Sequence, residues 1–282
     1  GVAGAVFGFG GADNITGSAL ADTIDGGAGD DTIAGEDIDV IEGGADTDTV
    51  NFAAAVSAAN LIDTDLVNVE NINVTGASTF DFSAQTEGLN ITGDGAVNTI
   101  LGGTGADTID GGAGADNLTG GAGADTFGVD STDNDSITDF VIGTDLIDMD
   151  ETVLRTGGSE GTALGKGTSG FDHFVTNGMT FLDDQFVAAS LSVADVAAYL
   201  ADFDLGGGNT FEMTYDNPAG FVASTTVAYI AVSDGTDTGL FLANAVGNGD
   251  NVIDAGELTL VTTLLGVTDP GTLSAANFTD CV

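Results

Sequence analysis

The sequence predicts a chain dominated by β-structure, with a repetitive, solenoid-like first half and a separate α+β or mainly β part after residue 150. Three observations carry this. Nine-residue segments recur head to tail from Gly8, glycine makes up 45 of 282 residues against only two prolines, and the composition changes near Glu151. Abundant glycine without proline marks a backbone that needs glycine-only angles, not a proline-rich linker. The length allows one or two domains with a sizeable core.

The repeats fall into two blocks. The first runs GFGGADNIT, GSALADTID, GGAGDDTIA, an eight-residue GEDIDVIE and GGADTDTVN, and the second, from Gly93, runs GDGAVNTIL, GGTGADTID, GGAGADNLT and GGAGADTFG. One register fits both. Asp13, Asp22, Asp31, Asp39 and Asp48 stand two residues before Ile15, Ile24, Ile33, Ile41 and Val50. In the second block Asn98, Asp107, Asp116 and Asp125 stand two residues before Ile100, Ile109, Leu118 and Phe127. Asp135 and Asp145 continue the pattern to Ile137 and Ile147 without the glycines.

These segments match GGxGxDxUx, with U a large apolar residue, and on them residues 8–150 resemble the RTX (repeats-in-toxin) calcium-binding nonapeptide family. The resemblance implies an all-β parallel β-roll, a β-solenoid in which six residues of each repeat turn, three form a strand, and two repeats complete a coil. It also implies several Ca2+ ions between stacked turns. Their ligands are then the carboxylates of Asp13, Asp22, Asp31, Asp39, Asp48, Asp107, Asp116, Asp125, Asp135 and Asp145. Carbonyls from the turns at Gly27, Gly29, Gly103, Gly105, Gly112, Gly114, Gly121 and Gly123 complete the set. The chemistry agrees with the spacing, because a hard cation takes 6–8 oxygens, which carboxylates and carbonyls supply together. Inward U residues form a core too narrow to be stable alone, so bound calcium supplies the missing stabilisation. Three turns depart from the pattern and predict weaker sites: Gly17 to Asp22 reads GSALAD, Gly35 to Asp39 is one residue short, and Asn98 replaces an aspartate.

Residues 52–92 lose the glycine motif but keep strand-like segments about ten residues apart, which reads as atypical coils without calcium, with Ile72/Val74, Phe80/Phe82 and Leu89/Ile91 as inward pairs. The alternative is a small insertion packed on one side. FAAAVSAANL reads as one short helical or loop excursion. The segment from Asp135 resembles the cap that closes many RTX rolls, with Phe140 and Ile142 covering the last coil and 129–150 as the capping stretch.

Both basic residues, the only histidine, both prolines and all three tyrosines follow residue 150, which places a second domain at 151–282. Residues 192–203 read as a helix with Ser192 as N-cap and Val196, Leu200 and Phe203 on one face. TFEMTYD, FVASTTVAYIAV and TGLFLAN read as strands, with SDGTDTG as a hairpin turn between the last two. In GNGDNVIDAGEL, the residues Asn248, Asp250, Asp254 and Glu257 match positions 3, 5, 9 and 12 of an EF-hand-type loop. Position 1 is Val246 and position 6 is Asn251 instead of glycine, so the loop reads equally as an ion site or as an acidic loop without one. The final stretch, ending ANFTDCV, resembles the uncleaved C-terminal signals of RTX proteins exported by type I secretion.

The formal charge of −43, with two basic residues against 45 acidic ones, excludes nucleic acid and anionic lipid as direct partners. No apolar run approaches the ~20 residues of a membrane span. The start lacks a methionine, a basic n-region and a sustained apolar stretch, which reads as a processed or partial piece of a longer chain and not as a cleavable signal peptide. Cys281 is the only cysteine, so no internal disulfide forms. His173 is the only imidazole, so two-histidine zinc chemistry is excluded, and no GxSxG elbow accompanies it. With 45 acids, carboxylate pairs are unavoidable and carry no information about hydrolysis.

The sequence therefore reads as a non-enzymatic, extracellular calcium-binding structural protein of the cell surface: a surface-layer, fibre or adhesin subunit. Its partners are calcium, a second copy or a cell-surface polymer, and the type I export machinery. The alternative is the C-terminal secretion and folding module of a larger exported RTX enzyme or toxin.

Overall fold

A computed structural model describes residues 4–57, 59, 61–129, 134–149, 173–176, 179–182, 226–245, 258–268, 273 and 277–279. The chain forms two compact units. The first comprises 1–128, 135–139 and 144–146, and the second comprises 129–134, 140–143 and 147–282.

The first unit is a parallel β-solenoid of about eight coils, each contributing two short strands. One face begins with β2 (Asn14–Thr16), β4 (Thr32–Gly35), β6 (Thr49–Phe52) and β8 (Asn71–Val74), and continues with β10 (Asn90–Thr92), β12 (Thr108–Asp110) and β14 (Thr126–Val129), neighbours in that order. The other face is split. Its first part is β1 (Ala5–Phe7), β3 (Thr23–Ala28), β5 (Val40–Ala45) and β7 (Leu66–Val67), and its second is β9 (Thr79–Asp81), β11 (Thr99–Leu101), β13 (Asn117–Thr119) and β15 (Asp135–Ile137). Consensus coils repeat every 18 residues, as in Ile15 opposite Ile33 and Ile109 opposite Phe127. The short repeat at Gly35 tightens one coil to 17, pairing Ile24 with Ile41.

Parallel strands buried on one face explain the period-two pattern. The U residues Ile24, Ile33, Ile41, Val50, Ile100, Ile109, Leu118, Phe127, Ile137 and Ile147 are all essentially inaccessible, while the threonines and asparagines beside them face out. Each inward residue therefore sits directly on its counterpart in the next coil.

The central stretch keeps the path. Ile72, Val74, Phe80, Phe82, Leu89 and Ile91 are buried, as expected for inward pairs, and Phe52 packs on Phe82 with ring centroids 5.8 Å apart. The excursion in FAAAVSAANL is not helical among its described residues. Val56 instead makes a lone parallel bridge to Phe80, and the Val56 N–H donates to the Thr79 carbonyl at 3.1 Å. This bridge stands at the break between the two parts of the split face.

Of the two residues expected to cover the last coil, Phe140 is buried, while Ile142 stays 36% exposed in the exposed run 141–144.

After β16 (Leu146–Met149), the described part of the second unit includes five paired strands. In it β17 (His173–Thr176) pairs antiparallel with β18 (Met179–Leu182), which pairs parallel with β19 (Thr226–Ser233). The hairpin expected at SDGTDTG joins β19 to β20 (Thr238–Ala245), and β21 (Leu258–Leu264) follows antiparallel. Gly235 takes φ +88°, and Oδ1 of Asp234 accepts the N–H groups of Thr236 and Asp237, which closes the turn. The helix at 192–203, the strand TFEMTYD, the loop of Asn248, Asp250, Asp254 and Glu257, and Cys281 lie outside the described residues. No described helix is long and apolar enough to cross a membrane.

Candidate metal centre

Each turn ends at a carboxylate just before its strand, so parallel stacking lines the carboxylates up. On one edge the order is Asp13, Asp31, Asp48, Glu70, Leu89, Asp107, Asp125 and Asp145; on the other, Asp22, Asp39, then Asn98, Asp116 and Asp135. Within each run the backbone N–H of one member donates to the side chain of the next, except from Glu70 to Leu89, whose side chain has no acceptor. Asp13 donates to Oδ1 of Asp31 and Asp31 to Oδ1 of Asp48, both at 2.8 Å, and Asp107 donates to Oδ1 of Asp125 at 2.9 Å. Asp116 donates to Asp135 at 2.9 Å and Asp125 to Asp145 at 3.1 Å, which carries both ladders past the last glycine turn. The N–H of Asn98 donates to Oδ1 of Asp116 at 2.6 Å.

These carboxylates are nearly sequestered. Asp22, Asp31, Asp39, Asp48, Asp107, Asp116, Asp125, Asp135 and Asp145 are all at most 3% exposed. Desolvation pushes the Asp125 carboxyl up to about 6, and burial likewise raises Asp39, Asp48 and Asp107. Asp22 goes the other way, held below its usual range by the N–H groups of Ser18 and Gly4.

In three turns the second carboxylate oxygen finds no donor within the chain. Oδ2 of Asp31 and of Asp48 is buried without a hydrogen-bond donor, as is Oδ2 of the half-buried Asp13. An unsatisfied buried acceptor costs about 1–3 kcal/mol, more when charged, so native proteins rarely leave one without a ligand. Asn98 keeps its place in the ladder, with its Oδ1 likewise buried and unsatisfied while Nδ2 donates to the Gly76 carbonyl at 2.8 Å.

Carbonyls converge on the same place. A Cβ on Gly102 would stand 2.5 Å from both Oδ2 of Asp107 and the carbonyl oxygen of Gly120 in the next coil. On Gly26 it would collide with Oδ2 of Asp31 and the Gly43 carbonyl. The first glycine of the motif thus clears a cradle in which a carboxylate and a carbonyl oxygen face each other.

Later turn glycines serve the backbone. Gly121 and Gly123 take φ +99° and +148°, and a Cβ on either would strike the Gly103 or Gly105 carbonyl of the coil before. Gly27, Gly29, Gly112 and Gly114 share that left-handed geometry, whereas Gly103 and Gly105 do not and are glycine because the carbonyls of Gln85 and Glu87 press on them.

Among the described residues no group of three or more His, Cys, Asp or Glu side chains converges. Any ion here is held by carboxylates in ones and twos plus carbonyls, an all-oxygen set suited to a hard divalent cation and not to zinc. Turns of this geometry on a right-length coil define a cation-binding parallel β-roll. The family model for the RTX calcium-binding nonapeptide repeat matches residues 7–37, 33–54 and 92–127, four copies in all. The chain carries RTX calcium-binding repeats, and both glycine-rich blocks lie within them. No curated protein matches the chain.

Sequence reasoning missed one ladder member. Glu70 accepts the Asp48 N–H on Oε2 at 2.8 Å, as Asp48 itself accepts from Asp31. The signal was present in Glu70-x-Ile72, an acid two residues before an inward apolar residue, but no glycines announce it.

Proposed function

We propose that this is a non-enzymatic, secreted structural protein of the cell surface, a surface-layer, fibre or adhesin subunit whose first unit folds on calcium outside the cell. One observation carries the reading: a buried ladder of like charges with unsatisfied oxygens opposes its own fold. Adjacent strands stand about 4.8 Å apart. Unit charges near that distance repel by about 1 kcal/mol in water and about 4 kcal/mol at the effective dielectric near a protein surface. A cation reverses the sign of that interaction. Because ions bind the folded turns and not the open chain, binding free energy becomes folding free energy. Extracellular calcium modules work at about 0.1–1 mM, which keeps the chain open before export and closes it afterwards.

Calcium filling the ladders leaves most of the −43 charge uncompensated. Such a surface stays soluble as a single chain and is bridged by further divalent ions to another acidic surface. Light scattering of the chain against calcium, with magnesium as comparison, tests this. Growth of assemblies that dissolve on chelation is expected. A folded chain that stays monomeric at saturating calcium contradicts the structural role and favours a folding and export module of a larger enzyme.

A further inference from the structure

We infer that Asp48, the last acid of the first glycine block, forms a cation site with two groups outside the repeat motif, the Glu70 carboxylate and the carbonyl of Asn68. The inference rests on the calcium reading of the repeats and extends it to residues that the motif does not include.

The local backbone is the evidence. Strand β7 pairs Leu66 with Ile41 and Val67 with Glu42, so Asn68 stands opposite Gly43, the first residue of the preceding turn. Between Gly43 and Asp48 the chain spends six residues, while Asn68 to Glu70 covers the same span with three. Two adjustments make the shortcut work. Asn68 adopts φ +49°, an angle that asparagine tolerates better than most residues, and its Nδ2 donates to Oε1 of Glu42. Glutamate replaces aspartate, and its extra methylene reaches the place the missing residues would have brought the carboxylate.

The outcome copies a consensus turn. A Cβ on Gly43 would collide with the Asn68 carbonyl and with Oδ2 of Asp48, just as one on Gly26 meets the Gly43 carbonyl and Oδ2 of Asp31. Asp48 is fully buried, and its Oδ2 has no donor. The oxygen therefore borders a cradle with the Asn68 carbonyl on one side, and the exposed Glu70 carboxylate of the next coil accepts the N–H of the same aspartate. Hydrogen bonding within the chain does not satisfy it, and a hard divalent cation does.

The test counts calcium bound to the full chain by equilibrium dialysis. Glu70→Gln keeps the hydrogen-bond acceptor for the Asp48 N–H and removes the charge; it should bind one ion fewer than the unmodified chain. Asp46→Asn removes an equal charge from an exposed side chain in the adjoining turn and should leave the count unchanged. Glu70→Asp keeps the charge but falls short across the three-residue turn, so one ion should bind at least tenfold more weakly. It serves as the second reading if Glu70→Gln loses its β-sheet circular dichroism. An unchanged count and affinity in both Glu70 variants overturns this site while leaving the repeats intact. An unmodified chain that binds no calcium overturns the calcium reading itself.

Discussion

Between residues 22 and 52 the coils carry Ile24, Ile33, Ile41 and Val50 inside, with Asp22, Asp31, Asp39 and Asp48 at the turns. Between 66 and 92 the same path carries Phe80, Phe82, Leu89 and Ile91, with Phe52 and Leu61 packed in from the flank. There Leu89 stands where a carboxylate would, and its N–H still donates to Oδ1 of Asp107 at 2.8 Å. A coil with one aliphatic side chain per strand buries too little to hold itself and needs ions. A coil with aromatic pairs buries more apolar surface and depends less on ions. The difference lies in what fills the interior, since backbone course and pairing are shared.

Truncation of an aromatic residue should break the comparison most sharply. Phe80→Ala is expected to cost about 3–5 kcal/mol in denaturant unfolding at saturating calcium. Its calcium affinities should change little once folded, because Phe80 lies on a strand opposite Ile100 and not at a ladder position. A large loss of ions would mean that the central coils are not independent of the ladders.

Backbone substitution in a consensus turn comes next. Gly121→Ala places a Cβ against the Gly103 carbonyl at φ +99°, and a strained residue of this kind costs about 1–3 kcal/mol. More calcium should then be needed to reach half-maximal folding, followed by circular dichroism. Asp107→Asn removes a ligand charge and leaves one acceptor for the two N–H groups, of Leu89 and Gly103, that the carboxylate accepts, and one ion should weaken at least about tenfold, or about 1.4 kcal/mol. Asp81→Asn, on the outer side of a central strand, should leave titration calorimetry unaltered.

The smallest effect is on pH. The folded carboxyl of Asp125 titrates at about 6 against 3.8 for its ordinary value, so without calcium the folded state holds more protons between those limits than the open chain does. Stability of the calcium-free roll should therefore rise as pH falls from 7 through 6 towards 4. In calcium the trend inverts, because protons compete for the ligand oxygens. The folded fraction by circular dichroism at several pH values, without the ion and at half-saturating calcium, checks both signs.

Much of the roll was legible because each consensus letter has one physical job. The apolar U fixes the strand, the acid two residues earlier fixes the ladder, and the glycines fix the turn, so register followed from spacing alone. The central coils were readable as coils from their alternating apolar pairs. What escaped were features set by neighbours and not by local pattern. Asn68 and Glu70 replace a six-residue turn with three, which shows only when Leu66 is paired with Ile41. Ile142 looked like a cap because it is apolar, yet nothing local tells a covering side chain from an exposed one. The hairpin at Asp234 to Asp237 was plain from its turn chemistry.

Hydrogen exchange of the full chain, with calcium and with excess chelator, measures the central claim most directly. The ladder amides of Asp13, Asp31, Asp107 and Asp116 should be protected in calcium and exchange freely after its removal. Equal protection in both conditions would contradict calcium as the stabiliser of the consensus coils.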